Sequence, residues 1–151
     1  MERTADFLAF AGYPERQFPA VHVTGTSGKG SVSMMTASLL QGMGLKTGLH
    51  TSPYLQMPTE KLMVNGEAVS LAGFADLVRR FRQVHGDWAA ADGPYDQLRY
   101  TEAWTAITFM WLAAQNLDYG VVEAGMGGRL DPTNHMAVSY THLTLPTILL
   151  V

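Results

Sequence analysis

Apolar positions along this chain fall into two patterns, short continuous runs and longer stretches with helical spacing. The short runs predict buried strands over 20–24, 46–50, 61–64 and 118–123. Helical spacing predicts helices over 3–12, 31–41, 71–84 and 101–115. The last of these is apolar nearly all round, so we expect it to be buried. Strands that alternate with helices predict an α/β fold of three layers, with a mostly parallel sheet covered by helices on both faces.

Polar stretches between these elements predict the turns and the position of a site. Asn65-Gly66 predicts a tight turn after a strand, and residues 86–98 predict a polar connection. Three loops rich in glycine, proline, hydroxyl or acidic residues follow predicted strands, at 25–31, 51–60 and 123–134. Ligands of parallel α/β sheets bind beyond the carboxyl ends of the strands. We therefore expect the three loops to converge on one binding site.

Composition narrows the class of protein. The chain has 151 residues, of which 47% are hydrophobic and 15% charged, which suits one globular domain. The formal net charge of −3 does not favour nucleic acid as a partner. There is no cysteine, which excludes disulfides and thiolate metal sites and fits a cytoplasmic protein. No apolar run is long enough to predict a membrane span. We also expect the protein to be a monomer.

The segment from Val21 to Ser31 carries the clearest chemistry. An apolar β-branched run ends in a glycine-rich loop that contains Lys29, and a predicted helix follows at once. Glycines let backbone N–H groups approach phosphate oxygens, the lysine adds a positive charge, and the hydroxyl of Ser31 could reach a phosphate-bound Mg²⁺. The common Walker A pattern fails twice, at Val23 and at Gly30. A phosphate loop for ATP and an ordinary glycine-rich turn with an incidental lysine both remain open.

Several other polar residues have two interpretations each. Glu123 ends an apolar strand just before a second glycine-rich loop, where it could hold Mg²⁺ or simply lie at the surface. That loop is not a dinucleotide fingerprint, because Leu130 stands where the last glycine is needed. Taken alone, Ser52 predicts a turn, whereas Glu60 and Glu102 predict solvent carboxylates or helix N-terminal charges. His22 and His50 lack metal-ligand spacing and are best placed in the core or at a strand edge.

Four segments, in order along the chain, resemble the folylpolyglutamate synthase/dihydrofolate synthase branch of the Mur ligase superfamily. The first contains the form Gly25-Thr26-x-Gly28-Lys29-Gly30-Ser31, and the second runs from Thr51 to Gly66. The third is Leu98-Arg99-Tyr100-Thr101-Glu102, and the fourth is the block from Val122 to Asn134. Each piece is weak alone, but the ordered set spans residues 3–136.

The resemblance implies a P-loop NTPase-like domain and an ATP-dependent ligase. Such an enzyme phosphorylates a folate or dihydropteroate carboxylate to an acyl phosphate, which the amine of L-glutamate then attacks. It implies that Ser27, Gly28, Lys29, Gly30 and Ser31 hold the ATP phosphates and that Ser52 and Glu123 hold Mg²⁺, with Lys29 and Glu123 as the catalytic groups. It also implies that residues 99–102 (Arg99, Tyr100, Thr101 and Glu102) and 130–132 (Leu130, Asp131 and Pro132) contact the pterin substrate.

The chain departs from that family's pattern in several places. Ser27 replaces an asparagine, Tyr54 stands where histidine is frequent, and Arg99 and Thr101 depart from the pterin segment. Residues 1–136 match an incomplete ATP-binding central domain, whereas 137–151 resemble translated sequencing-adapter sequence, so we expect a non-native tail. The C-terminal ligase domain of the family has no counterpart here, so we expect no ligase activity from these 151 residues alone. Two alternatives stay open: another Mur-type ligase acting on a cell-wall or polymer precursor, and a nucleotide-binding module without chemistry.

Overall fold

The computed structural model describes residues 1–136 and, as backbone only, 138–140. Four α-helices and six strands make up the described part. The helices are α1 (Glu2–Phe10), α2 (Lys29–Gly42), α3 (Leu71–Ala90) and α4 (Tyr100–Ala113). The strands are β1 (Ala20–Val23), β2 (Thr47–His50), β3 (Leu62–Val64), β4 (Glu67–Ala68), β5 (Tyr119–Glu123) and β6 (Val138–Tyr140). Short 3₁₀ turns cover Pro14–Arg16, Pro58–Lys61 and Pro132–His135.

One twisted sheet organises these elements, in the order β4-β3-β2-β5-β1-β6. β2, β5, β1 and β6 pair in parallel, and an antiparallel hairpin of β3 and β4 forms the other edge. The hairpin turn is at Asn65 and Gly66, whose φ angles of 49° and 79° are those of a tight turn between twisted strands. The predicted mostly parallel sheet and the predicted turn are both confirmed.

Helices cover both faces of the sheet, as predicted. Successive residues of a strand point to opposite faces, so Val121 packs with α2 while Val122 packs with the layer formed by α1, α3 and α4. The larger core lies on the Val122 side, and α4 is its centre, with Ala106, Phe109 and Leu112 completely buried. The expectation of a buried helix over 101–115 is therefore confirmed, with bounds of Tyr100–Ala113.

Helix α3 is longer than its apolar spacing predicted. It continues to Ala90, so the predicted polar connection over 86–98 begins within the helix. The extra turns are fixed by Trp88, a residue that is 3% exposed and whose ring packs edge-on against Phe7. Its indole N–H donates to Asp6 across 2.8 Å. One aromatic residue in a polar stretch carries this contact, which explains why helical periodicity missed it.

Strand β6 lies inside the segment predicted to be a non-native tail. Its backbone pairs in parallel with β1, with Val138 opposite Ala20. The origin of the tail stays a prediction. Residue 137 and residues 141–151, including the run 143–146 that we expect to pack poorly, lie outside the described residues. No helix in the described part of the chain has the length and apolar character needed to cross a membrane.

Candidate nucleotide and metal site

Three loops leave the carboxyl ends of β1, β5 and β2, which are neighbours in the sheet. We refer to residues 24–31 as the phosphate loop, 51–60 as the proline loop and 125–131 as the glycine loop. Parallel pairing sets Val23 beside Glu123 and His50 beside Val122, so the three loops leave the same edge. The predicted convergence of the three loops is confirmed.

The phosphate loop ends in a helix N-terminus that is open to solvent. Gly28 precedes α2 with φ of 75°, a left-handed conformation that favours glycine, and no side chain caps the helix. The first N–H groups of a helix have no intrahelical acceptor, so they remain available to an anion. The stem of Lys29 folds back across the loop, with its Cγ 3.8 Å from the position that a Cβ on Gly25 would take. The charge of Lys29 and the unpaired backbone N–H groups of the first helical turn therefore lie together at the start of α2.

Glu123 lies directly beside this loop. The residue is 4% exposed, and its Oε2 accepts the backbone N–H of Ser52 across 2.8 Å. A Cβ on Gly30 would stand 3.6 Å from the same oxygen, so the first turn of α2 packs against the carboxylate. The structure thus brings together Gly30 of the phosphate loop, Ser52 of the proline loop and Glu123 at the end of β5. Among the described residues, no three His, Cys, Asp or Glu side chains form a group that could hold a metal by themselves.

Lys61 is a residue of this region that sequence reasoning missed. It is 8% exposed, and its ammonium lies 4.3 Å from the centre of the Trp104 ring, a cation–π contact. Burial lowers the pKa of Lys61, and the charge of Glu123 partly offsets that effect. This environment arises only because the Pro58–Lys61 turn packs against α4. No residue spacing in the sequence therefore indicates that Lys61 is buried.

His50 is a core residue, as the sequence predicted. Its Nδ1 lies 3.1 Å from the carbonyl oxygen of Lys61 and 3.1 Å from the hydroxyl of Thr108. Burial, reinforced by the charge of Lys61, lowers the pKa of His50 to about 3. The imidazole is therefore neutral at physiological pH and serves as a structural link between β2 and α4.

Glu60 has the second of its two predicted roles, a helix N-terminal charge in the first turn of Pro58–Lys61. Its carboxylate accepts backbone N–H groups from Leu55, Gln56 and Met57 and so closes the proline loop on itself. These bonds, with that from Leu55 the largest contribution, lower the pKa of Glu60. Glu60 therefore acts as a helix N-terminal charge and not as a simple solvent carboxylate, and it organises the loop that carries Ser52.

The residues predicted to contact the pterin differ in exposure: some are open to solvent, and others are buried. Arg99 and Tyr100 are exposed, as is Leu130. Arg99 and Tyr100 line a cleft of about 640 Å³ with Arg3 and residues 94–98. Glu102 is 7% exposed and accepts the Arg99 N–H at 2.8 Å, which caps α4. The expected helix N-terminal charge at Glu102 is confirmed, but the group is buried.

Asp131 is occupied by its own loop. One carboxylate oxygen accepts the N–H and the hydroxyl of Thr133 at 3.0 and 2.5 Å, and the other accepts the Met126 N–H at 2.9 Å. Burial opposes ionisation, but these hydrogen bonds outweigh it and leave the pKa of Asp131 below its ordinary value. The glycine loop is therefore built around this carboxylate.

Known proteins with the same fold and related sequence show the family of the chain. No family model matches the chain. The dihydrofolate synthase/folylpolyglutamate synthases of Mycobacterium tuberculosis and Bacillus subtilis are both 35% identical to it, over 89% and 94% of its length. Apo folylpolyglutamate synthase of L. casei superposes on 91% of the chain with a TM-score of 0.86 and 30% identity. The chain belongs to the folylpolyglutamate synthase/dihydrofolate synthase family.

The structural matches extend to nucleotide complexes and confirm the expected Mur ligase-type fold. Folylpolyglutamate synthase of Mycobacterium tuberculosis complexed with ADP and AMPPCP superposes with a TM-score of 0.84 and 32% identity over 91% of this chain. A separate structure, a folylpolyglutamate synthase complex with AMPPCP and folate, gives a TM-score of 0.85 and 30% identity over 90% of this chain. The chain spans about a third of the length of these relatives, between 28% and 33%.

Proposed function

We propose that this chain supplies the nucleotide-binding part of an ATP-dependent ligase that adds L-glutamate to folate or dihydropteroate. The reaction passes through an acyl phosphate, formed on the pterin substrate's carboxylate and then attacked by the amine of glutamate. The observation that carries the proposal is the open N-terminus of α2, with Lys29, beside the buried carboxylate of Glu123. The names of the relatives and their nucleotide complexes support it.

The phosphate loop would hold the nucleotide through its backbone and through Lys29. Residues Ser27 and Gly28 precede α2, while Gly30 and Ser31 lie in its first turn, where the positive end of the helix dipole faces an anion. Phosphoryl transfer requires charge neutralisation and alignment more than covalent chemistry from the protein. A half-buried lysine beside the unpaired N–H groups of the first helical turn meets both needs.

The residues around Glu123 fit a magnesium ion bound together with nucleotide phosphates. Mg²⁺ takes one or two protein oxygens and completes its shell with phosphate and water. Glu123 supplies a carboxylate whose Oε1 has no hydrogen bond to another described residue, and the Ser52 backbone lies against its other oxygen. When bound, the ion would polarise the phosphate undergoing transfer. Glu123 and the Ser52 hydroxyl would hold it.

For the pterin substrate, the exposed members of the predicted set are the better contacts. Arg99 and Tyr100 open onto the 640 Å³ cleft, whose size suits a small organic ligand. Leu130 is 79% exposed on the glycine loop. Thr101 is exposed and Pro132 half-buried, whereas the carboxylates of Glu102 and Asp131 already bind their own backbones. Glu102 and Asp131 would therefore hold the backbone of the pterin site in place without contacting the pterin themselves.

Titration of the chain with Mg·ATP, or with a non-hydrolysable analogue, tests the nucleotide site. K29A should weaken binding roughly 10- to 100-fold, the loss expected for a charge-assisted contact. K46A is the matched control, because Lys46 is an exposed lysine that donates to the Gln115 carbonyl next to the start of β2. Equal affinities in the parent chain and K29A would refute the assignment.

A further inference from the structure

A hydrogen-bonded relay joins the strand that carries the phosphate loop to the glycine loop. His22 Nε2, in β1, lies 2.8 Å from the hydroxyl of Thr133, and that hydroxyl lies 2.5 Å from Asp131 Oδ1. The other oxygen of Asp131 holds the Met126 N–H. The relay therefore runs from two residues before the phosphate loop to the turn that follows Glu123. Neither the nucleotide nor the metal assignment uses His22 or Thr133.

The direction of each hydrogen bond follows from the number of protons. A threonine hydroxyl has one proton to donate. An ionised carboxylate only accepts, so the Thr133 proton points to Asp131, and the Thr133 oxygen must accept from His22. Nε2 of His22 therefore carries a proton. Because burial keeps this imidazole neutral despite the charge of Asp131, Nδ1 carries none.

The backbone around the relay is shaped to allow close approach. A Cβ on Gly125 would lie 3.2 Å from Asp131 Oδ2, and one on Gly128 would lie 2.9 Å from the hydroxyl of Thr24. Gly125 thus lets the Asp131 carboxylate reach into the loop, and Gly128 lets the glycine loop touch the first residue of the phosphate loop. The two loops meet at a direct contact and through the relay.

We infer that His22 is a positioning residue that, as the Nε2–H tautomer, holds the glycine loop against the phosphate loop through Thr133 and Asp131. The inference deepens the proposed function, because the two loops it aligns are those assigned to nucleotide, metal and pterin. The hydrogen bonds are present in the chain without ligands, so they can be tested there. They need an N–H donor at position 22 and a hydroxyl at position 133.

The tautomer is tested by nitrogen NMR of the ligand-free chain, with H22Q identifying the His22 signals. A protonated Nε2 and an unprotonated Nδ1 are expected near neutral pH. In T133V, which keeps the side-chain shape and removes the hydroxyl, the preference for that tautomer should relax. A protonated Nδ1 in the parent chain would overturn the relay.

Two pairs of variants test the positioning role. H22F and T133V should shift the Met126 amide signal and weaken Mg·ATP binding roughly 3- to 10-fold, as for the loss of one buried hydrogen bond. H22Q, which retains an N–H donor, and T133S, which retains the hydroxyl, should stay within about 2-fold of the parent. The double variant H22F/T133V should be no worse than either single change, because both break one relay.

The outcomes separate this inference from the function on which it rests. If H22F lowers stability but leaves the Met126 amide and the nucleotide affinity unchanged, His22 is only structural and the inference fails. Additive effects in the double variant also refute it. If the parent chain binds no nucleotide, the proposed function fails, while the tautomer and the Met126 signal still decide the relay.

Discussion

The phosphate loop and the glycine loop lie side by side and are built in opposite ways. No side chain of the phosphate loop makes a hydrogen bond to any other residue that the structure describes, and Thr24 to Gly28 are exposed. The glycine loop instead closes around Asp131, whose carboxylate accepts three protons from within residues 126–133. Both loops are rich in glycine, so composition alone does not distinguish them.

The difference shows how to recognise a binding loop. Polar groups near a buried site need partners, and a loop whose donors have none among the protein's own groups is suited to an anion that supplies the acceptors. A loop whose donors are already paired keeps its conformation without a ligand and can form a rigid side of a binding site. The first property fits the nucleotide, and the second fits a loop that aligns Glu123 and its neighbours.

D131N should give the largest effect on the fold of the two loops. An amide at this position offers one acceptor oxygen where two serve three protons, so at least one partly buried donor loses its acceptor. We expect the free energy of unfolding to fall by about 1–3 kcal/mol in denaturant titrations. D76N, at an exposed ion pair on α3, should change it by less than about 0.5 kcal/mol. Equal losses in the two variants would contradict the contrast between the loops.

G128A should disturb the contact between the two loops. The new Cβ would lie 2.9 Å from the Thr24 hydroxyl, too close for both to keep their positions. The expected loss is about 1 kcal/mol of unfolding free energy, since exposed loops can shift. The double variant G128A/T24A should recover much of it, because the clashing hydroxyl is gone.

Gly86 offers a control for G128A. It lies within α3, and a Cβ there meets nothing within 4 Å. G86A should therefore be neutral or stabilising, by up to about 1 kcal/mol, since alanine favours a helix. If G128A and G86A change the unfolding free energy equally, the phosphate loop and the glycine loop are not in close contact at Gly128.

The sequence predicted the sheet, its parallel order and the convergence of three loops, because these follow from apolar periodicity and the connection rules of α/β folds. Ser52 and Glu123 were predicted as a pair from the resemblance, and the structure brings them together through the Ser52 N–H. Asp131, Glu60 and Glu102 all accept backbone N–H groups. For Glu60 and Glu102 a helix N-terminal charge was one of the two predicted roles. The partners of Asp131 were not predictable, because they depend on local backbone geometry that no residue spacing encodes.

Lys61 and Trp88 show the same limit for packing. Trp88 is a single aromatic residue in a polar stretch, and Lys61 is a charged residue at the start of a predicted apolar strand. The burial of each depends on a partner far away in the sequence, Phe7 for Trp88 and Trp104 for Lys61. Periodicity reports repeated faces of an element, so isolated anchors of this kind escape it. The tight turn at Asn65 and Gly66 was predictable because its signal is entirely local.

S31A should lower nucleotide affinity without changing the fold. The Ser31 hydroxyl is exposed in the first turn of α2, where it would contact phosphate or the associated metal ion. We expect a loss of roughly 3- to 10-fold in Mg·ATP affinity, in the range of one hydrogen bond. Its unfolding free energy should stay within about 0.5 kcal/mol of the parent.

S33A is the matched control on the same helix. Ser33 is completely buried, and its hydroxyl has no hydrogen-bond partner among the described residues. Removing that hydroxyl should leave nucleotide affinity unchanged and be neutral or slightly stabilising, because no partner loses a bond. Comparable losses of affinity in S31A and S33A would mean that the helix, and not the loop's free groups, determines binding.

The smallest effect concerns the proline loop, which resembles the glycine loop in using a carboxylate to collect its own N–H groups. Hydrogen bonds from Leu55, Met57 and Gln56 depress the pKa of Glu60 below its ordinary value of 4.5. A depressed pKa means that the folded loop prefers the ionised form. The contribution is therefore fully present above pH 4.5 and is lost as pH falls through the lower folded value. Amide signals of Leu55 and Met57 should titrate together below pH 4.5, and E60Q should abolish that titration while leaving the Met126 amide unaffected. A common midpoint at or above pH 4.5 would mean that the carboxylate does not hold this loop.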